Sequence, residues 1–292
     1  MPSISPSLQE KRATLYSSLR GMGRLLVAYS GGADSAYLAY AAHQALGINM
    51  LAVLADSPSL SRWHLRDAMK FSEESDIPLH VVRTNELDNP DYLKNDSTRC
   101  FHCKDELFQV MGELAERMEF QTIAYGMNLD DIGEFRPGQI AARQHRVVAP
   151  LAEARLTKQE IRQLAQEAGL RIWDKPASAC LSSRIAYGVP VTAETLMLIE
   201  KGEAILLTMG FRQFRVRHHG EMVRLEIARE EIERMFSLDA FDRLVAELKA
   251  LGYRYVTLDL EGYRSGSMNA VLPITEIKRM TVNSVLQRAR PE

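Results

Sequence analysis

The chain has 292 residues, 46% hydrophobic and 25% charged, the make-up of an ordinary globular protein, which excludes disorder, collagen-like repeats and coiled coil as the main architecture. At about 100–200 residues per domain, this length implies two domains. Thirty-six basic against 38 acidic residues leave a net charge of −2, which argues against a nucleic-acid partner with a broad basic footprint and leaves room for a local basic pocket.

The opening stretch, MPSISPSLQEKRATLYSSLR, lacks the apolar segment of a secretory signal. Arg24–Tyr29 is a short apolar run ending on Ser30-Gly31-Gly32, and Ser35–Leu46 reads as a helix. Residues 35–55 carry no charge, but His43, Gln44, Gly47 and Asn49 interrupt them, whereas a membrane span needs about 20 predominantly apolar residues. A cytoplasmic protein with no membrane partner is expected. Asn49–Ala55 is a second strand, Arg62–Glu74 a polar helix, Pro78–Val82 a third strand, Lys104–Met118 a helix and Gln121–Tyr125 a fourth strand. Arg146–Ala149 is a candidate fifth. Strands spaced by helices predict an α/β domain with a parallel, doubly wound sheet over residues 1–172.

Thr157-Lys158-Gln159-Glu160 is a capping-box pattern, and Gly169 ends the helix it starts. Residues 173–190 read as an irregular connection carrying Cys180. Beyond it, Thr192 caps a helix to about Met209. Phe211–His218 alternates, so Arg215 and Arg217 share a strand face. Met222–Ala228 and Tyr253–Leu260 are strands, and Leu238–Leu251 is a helix. Residues 191–292 therefore read as a small α+β domain.

Ser30-Gly31-Gly32-Ala33-Asp34-Ser35 joins an apolar strand to a helix. Glycines let backbone approach an anion, and a helix start offers free N–H groups. Ser30 and Ser35 add hydroxyls. Asp34 would repel phosphate, so it implies a bridging Mg²⁺. The plainer alternative is a tight turn with Asp34 near a helix N-terminus. SGGxDS after a strand resembles the PP-loop of ATP pyrophosphatases, which implies a Rossmann-like domain, ATP as co-substrate and cleavage between the α and β phosphates. The Walker pattern is absent, in keeping with AMP transfer. Ligands of such sheets sit at the carboxyl ends of strands. Asp56 and Ser57 should therefore border the adenosine, and the stretch from Gly126 through Asn128, Asp130 and Asp131 should meet phosphate, metal or substrate. Glu134 is a further Mg²⁺ candidate, its alternative being an exposed helix-start carboxylate.

Three cysteines are a poor basis for a disulfide framework. Cys100-Phe101-His102-Cys103 is a C-x-x-C, and Cys180 lies far along the chain. Zinc, a dithiol redox pair and an iron–sulfur cluster with one open iron all remain consistent with that spacing.

The stretch Trp173-Asp174-Lys175-Pro176-Ala177-Ser178-Ala179-Cys180-Leu181-Ser182-Ser183-Arg184-Ile185 is the most specific text in the chain. Together with SGGADS, Asn128–Asp131, Phe135-Arg136-Pro137-Gly138 and Gly262–Asn269, it resembles the LarE family of sulfur transferases in nickel-pincer nucleotide synthesis. The resemblance spans nearly the whole chain. It implies a pyridinium-3,5-biscarboxylate mononucleotide as the small-molecule substrate, adenylation of its carboxylates with release of pyrophosphate, and displacement of AMP by sulfur. Cys180 matches the family's sulfur-donating cysteine, which in single-cysteine members gives up its own sulfur in a single turnover and becomes dehydroalanine, the sacrificial alternative for this chain. With Cys100 and Cys103 present, the chain looks like the three-cysteine subgroup, whose 4Fe–4S cluster carries a sulfide. Arg215, Arg217 and Arg264 match the set that binds the substrate phosphate, the alternative for the first two being a solvated strand face. Arg184 is a candidate for holding a carboxylate or the AMP phosphate, the alternative being an interdomain ion pair. The resemblance also implies a homo-oligomer, with residues 191–292 as the domain for substrate binding and oligomerisation.

Three other functions compete. A tRNA thiolation enzyme would share the loop, but would normally add an RNA-binding domain, for which a pI near 6.4 offers no footprint. An amide-forming synthetase gives the cysteines no role. A nucleotide-sensing module would bind ATP without releasing pyrophosphate.

Overall fold

The structure, a computed structural model, describes residues 6–133, 137–176 and 179–264. Glu134, Phe135, Arg136, Ala177, Ser178 and Ser265–Asn269 lie outside the described residues. The chain divides into two compact units: of the described residues, 6–86 and 100–176 form one, 87–99 and 179–264 the other. The division thus falls inside the 173–190 connection, and the second unit also takes in residues 87–99.

In chain order the elements are α1 (Pro6–Arg20), β1 (Leu25–Ala28), α2 (Ala33–Leu46), β2 (Met50–Asp56), α3 (Arg62–Glu74), β3 (Leu79–Arg83), α4 (Pro90–Leu93), α5 (Arg99–Met118), β4 (Thr122–Tyr125), α6 (Gly138–Gln144), α7 (Pro150–Glu153) and α8 (Lys158–Glu167). They are followed by α9 (Ala193–Thr208), β5 (Phe214–His219), β6 (Met222–Ile227), α10 (Leu238–Ala250) and β7 (Tyr255–Leu258).

The first unit is an α/β layer around a parallel sheet of order β3-β2-β1-β4. All four residues of β1 are buried, because helices cover both faces. Successive side chains point to opposite faces. Leu25 and Val27 therefore join a core with Leu15, Leu38, Ile161 and Leu164, while Leu26 and Ala28 join another with Phe108, Met111, Leu114 and Ala142. The expected doubly wound sheet is present.

Two expectations need correction. Arg146–Ala149 is not a strand; it contributes one bridge, Val148 to Ala124. Arg146 has a left-handed φ of 54°, and Pro150 opens α7, which leaves no length for a ladder. The helix expected from Lys104 begins at Arg99, so Cys100 and Cys103 lie in its first turn. Helix α1 was not read from the sequence. Its signal is sparse: Leu8, Leu15 and Leu19 are its buried positions in an otherwise polar stretch.

The second unit pairs β5 and β6 antiparallel and adds β7 parallel to β6. The first hairpin closes through Gly220, whose φ of +66° suits glycine. Helix α9 packs on β5 closely enough that a Cβ on Gly202 would come within 3.0 Å of Val216. Strand β5 starts at Phe214, three residues later than Phe211. Among the described residues no helix is long and apolar enough to cross a membrane.

The capping box of α8 is complete: Thr157 Oγ1 accepts from Glu160 N–H at 3.2 Å, and Thr157 N–H donates to Glu160 Oε2 at 2.9 Å. Thr157→Ala should lower unfolding stability by about 1 kcal/mol. Denaturant titration checks this, an unshifted midpoint being the contrary result.

Candidate active site

At the carboxyl end of β1 the chain must turn from a doubly buried strand into α2 within a few residues. Gly31 takes φ +73°, and a Cβ there would lie 2.6 Å from Ala68 Cβ, so the position requires glycine. Gly32 is the N-cap in extended conformation with no side-chain cap, leaving the start of α2 to other partners. Ser30 and Ser35 brace the loop across its neck: Ser35 Oγ accepts from Ser30 N–H at 3.1 Å, shares a hydrogen bond with Ser30 Oγ at 3.0 Å, and donates to the Gly32 carbonyl at 3.1 Å. Gly126, at the end of β4, presses on the same place. A Cβ on it would stand 2.8 Å from Ser35 N and 3.1 Å from Asp34 C.

Lys175 completes the loop. Its Nζ donates to the Gly31 carbonyl at 2.7 Å and pairs with Asp67 at 2.5 Å. Burial pushes the Asp67 carboxyl up, but hydrogen bonds and charge from Lys175 and Arg171 outweigh it and hold the group below the usual range. In a trans peptide the C=O and the following N–H point in opposite directions. Fixing the Gly31 carbonyl on Lys175 therefore turns the Gly32 N–H the other way.

Asp34 lies in the first turn of α2, and its Oδ1 is buried without a hydrogen bond. Burial raises its pKa above the usual carboxylate value; the charge of Asp131 raises it further, while Lys158, Arg162 and the nearby Asn128 amide pull it back. Asn128 is fully buried, and its Nδ2 also lacks a hydrogen bond. Its Oδ1 accepts from the N–H groups of Asp130 (2.9 Å) and Asp131 (3.2 Å), which shapes the turn after β4. Asp130 Oδ2 accepts from Lys158 N–H at 2.8 Å, and Asp131 is buried. Among the described residues no three His, Cys, Asp or Glu side chains are grouped as a metal site.

At the end of β2, Asp56 pairs with Arg62 at 2.5 Å. Ser57 donates to Glu86, a fully buried carboxylate that also accepts from Ser59 at 2.5 Å and from Thr84 at 3.3 Å. The strand ends of β1, β2 and β4 thus carry the predicted loop, the Asp56–Ser57 pair and the Gly126–Asp131 turn on one edge of the sheet.

Cys100, exposed, and Cys103, half-buried, stand three residues apart on α5, and Cys180 is half-buried in the second unit; none of the three is in a disulfide. Cys180 precedes the 3₁₀ turn Leu181–Arg184. Its carbonyl accepts from Ser183 N–H (3.0 Å), Ser183 Oγ (2.7 Å) and Arg184 Nη1 (2.7 Å).

Arg184 is 1% exposed and pairs with Glu203 of the same unit through Nε at 2.8 Å, which replaces the interdomain pair considered from sequence. Nη1 also reaches the Ala179 carbonyl at 2.6 Å. Arg184 therefore lies beneath the Cys180 turn.

Arg215 and Arg217 do share a face of β5, opposite Glu226 and Arg224 of β6. That face is buried, so the solvated-face alternative fails. Burial, then the charge of Arg184, lowers Arg215 to about 10, and its guanidinium sits 4.8 Å from the Tyr263 ring centroid. Arg217 pairs with Glu226 at 2.8 Å. Glu226 also holds Arg224 (3.2 Å), Arg224 reaches Asp259 (3.7 Å), and Asp259 holds the half-exposed Arg264 (3.3 Å). Gly262 sets up this end: φ is +72°, and a Cβ would fall 2.7 Å from the Ile227 carbonyl.

No protein-family model matches the chain. Over 268 residues it is 34% identical to the pyridinium-3,5-bisthiocarboxylic acid mononucleotide synthase of Lactiplantibacillus plantarum, a LarE protein, covering 91% of this chain and 96% of that one. The chain belongs to the LarE family. An uncharacterized protein of Synechocystis is 40% identical over 265 residues, 91% of this chain and 99% of that one. Another, from Methanocaldococcus jannaschii, is 26% identical over 242 residues, 83% and 91% of the two chains.

Within this LarE chain, sequence reading missed Lys175, Asp67, Glu86, Glu203 and Glu226. Lys175 stood inside the quoted motif; the carboxylates carried no motif, and only burial exposes their part. For Asp34, a raised folded value means the penalty is absent when the carboxyl is protonated in both folded and unfolded chains. It grows as pH rises past the unfolded value of about 3.9 and through the folded one. Asp34→Asn should therefore stabilise the ligand-free protein near pH 7, with the advantage shrinking as pH falls. Denaturation midpoints across that range check the sign.

Proposed function

We propose that the protein is an ATP-dependent sulfur transferase that converts the carboxylates of pyridinium-3,5-biscarboxylate mononucleotide into thiocarboxylates. The observation that carries this reading is the match, over 91% of the chain, to a synthase named for the bisthiocarboxylic acid mononucleotide. A carboxylate does not release oxide to an incoming sulfur, so activation comes first. A substrate carboxylate oxygen attacks the α-phosphorus of ATP, and pyrophosphate leaves with the bridging electron pair. An anionic sulfur then attacks the acyl carbon, the C–O bond breaks, and AMP leaves with that pair. A second round treats the other carboxylate.

The first unit serves the nucleotide. The Gly31-Gly32 backbone and the uncapped start of α2 offer N–H groups to phosphate. The orphaned Asp34 oxygen suits a cation, and Asp34, with Asp130, Asp131 or Glu134, would hold Mg²⁺. When bound, that ion neutralises phosphate charge. Asp56 and Ser57 border the adenosine.

The second unit serves the pyridinium mononucleotide. Arg215, Arg217 and Arg264 bind its phosphate, with Glu226 and Asp259 orienting the guanidinium groups. Arg184 is a positioning residue that fixes the Cys180 backbone. Soft thiolate ligands suit iron–sulfur clusters, and Cys100, Cys103 and Cys180, none of them in a disulfide, would hold a 4Fe–4S cluster. Bound there, such a cluster would supply sulfide as the nucleophile for the acyl adenylate.

Anaerobically purified protein should contain about four irons per chain and release pyrophosphate and AMP on incubation with the dicarboxylate, ATP, Mg²⁺ and sulfide. Turnover should repeat, with the mass of Cys180 unchanged. Absence of pyrophosphate refutes the activity. An iron-free, active protein whose Cys180 loses sulfur after one turnover establishes the sacrificial route instead. Arg215→Ala should weaken mononucleotide binding by about 1.5–3 kcal/mol in calorimetry and leave ATP affinity intact.

A further inference from the structure

The turn that carries Cys180 is gripped by three buried guanidinium groups, and one of them has no part in the chemistry above. Arg184 takes the carbonyls of Ala179 and Cys180. Arg217 Nη1 takes that of Ser183 at 2.8 Å. Arg99 Nη1 takes that of Ser182 at 2.9 Å and also reaches Asn95 Oδ1. Arg99 is 4% exposed, and its guanidinium lies 5.7 Å from the Tyr187 ring centroid.

Residues 87–99 back this contact along their length. Tyr92 Oη shares a hydrogen bond with Ser182 Oγ at 2.5 Å. Asn95 Nδ2 donates to the carbonyls of Ala186 (2.8 Å) and Val189 (2.7 Å), while Gly188 N–H donates to the Asn95 carbonyl at 3.1 Å. Val191 N–H donates to the Leu93 carbonyl at 3.0 Å. The segment is a splint along residues 182–191, and Arg99 joins it to the Cys180 turn. Charge-assisted bonds from a buried guanidinium are about twice as strong as neutral ones, and the planar fork can serve Asn95 and Ser182 together.

We propose that Arg99 is a positioning residue for Cys180. By fixing the Ser182 carbonyl and sharing Asn95 with the splint, it holds the turn so that the Cys180 sulfur points one way. The consequence for turnover rests on the sulfur-transfer reading above; the orientation of the thiol does not.

The test uses the full chain with Arg99→Met, Arg99→Lys and Tyr92→Phe. The first readout is thiocarboxylate formed per pyrophosphate released, which a general loss of folded protein leaves unchanged because both products fall together. In Arg99→Met this ratio should drop about tenfold or more, since small misplacements of a reacting atom cost that much. Pyrophosphate release itself should stay near wild type, because an acyl adenylate that sulfur does not capture is hydrolysed by water to carboxylate and AMP. Arg99→Lys, which keeps the charge but not the fork, should restore part of the ratio. The second readout is the alkylation rate of Cys180 in metal-stripped protein, followed by peptide mass spectrometry. It should change in Arg99→Met and, to a smaller extent, in Tyr92→Phe. Wild-type values of both readouts in folded Arg99→Met overturn the proposal. If that variant does not fold, Tyr92→Phe decides: a shifted alkylation rate supports it and an unshifted one overturns it. If wild-type protein releases no pyrophosphate, the function reading fails by itself, and the alkylation rates still judge Arg99.

Discussion

The first unit depends on one junction, where β1, buried on both faces, hands over to α2 without a side chain capping the helix. A doubly buried strand has no solvent to turn into, so the chain must fold back in the space left by Ala68 and Gly126, and only small residues fit. The same crowding that demands Gly31 leaves backbone N–H groups as the loop's principal polar offering. Lys175 supplies the remaining constraint, because its hold on the Gly31 carbonyl settles which way the next N–H faces. Tight packing and the presentation of backbone N–H groups here are one geometric solution.

The second unit solves a harder problem, keeping several guanidinium groups inside a domain of modest size. Burying a charge alone is costly, and breaking a buried pair costs about 3–5 kcal/mol. Arg184 is matched by Glu203, Arg217 by Glu226, and Arg224 and Arg264 share carboxylates along the same sheet edge. Backbone carbonyls of the Cys180 turn take further N–H groups. The basic face is thereby held by carboxylates and carbonyls of its own unit.

Much of this was legible in the sequence where burial writes itself as a pattern. Strand β1 appears as an apolar run because both its faces are covered, and the alternation in β5 correctly put Arg215 and Arg217 on one face. The glycine loop was legible because its residue types have few other uses. What stayed hidden involves residues far apart in sequence. Lys175 meets Gly31 across 144 positions, and nothing local marks Glu203 or Glu226 as counter-charges. Polar residues in the first turn of α5 concealed its true start, and the sparse leucines of α1 concealed a whole helix. The run Arg146–Ala149 has strand composition, but its first residue is left-handed and a proline follows it, which leaves room for a single bridge.

The interleaving of the two units also governs how the protein is made. Residues 87–99 belong to the second unit, yet they leave the ribosome before α5, β4 and α8 of the first. Arg99 must wait 83 residues for the carbonyl of Ser182. Neither unit is therefore a contiguous stretch that can be cut out at a linker. A fragment beginning at Ala179 would lack its splint, and a nascent chain halted near α8 would expose a segment whose partners do not yet exist. Contacts of such long sequence separation form late and slowly, so completion of the second unit comes only near the end of synthesis.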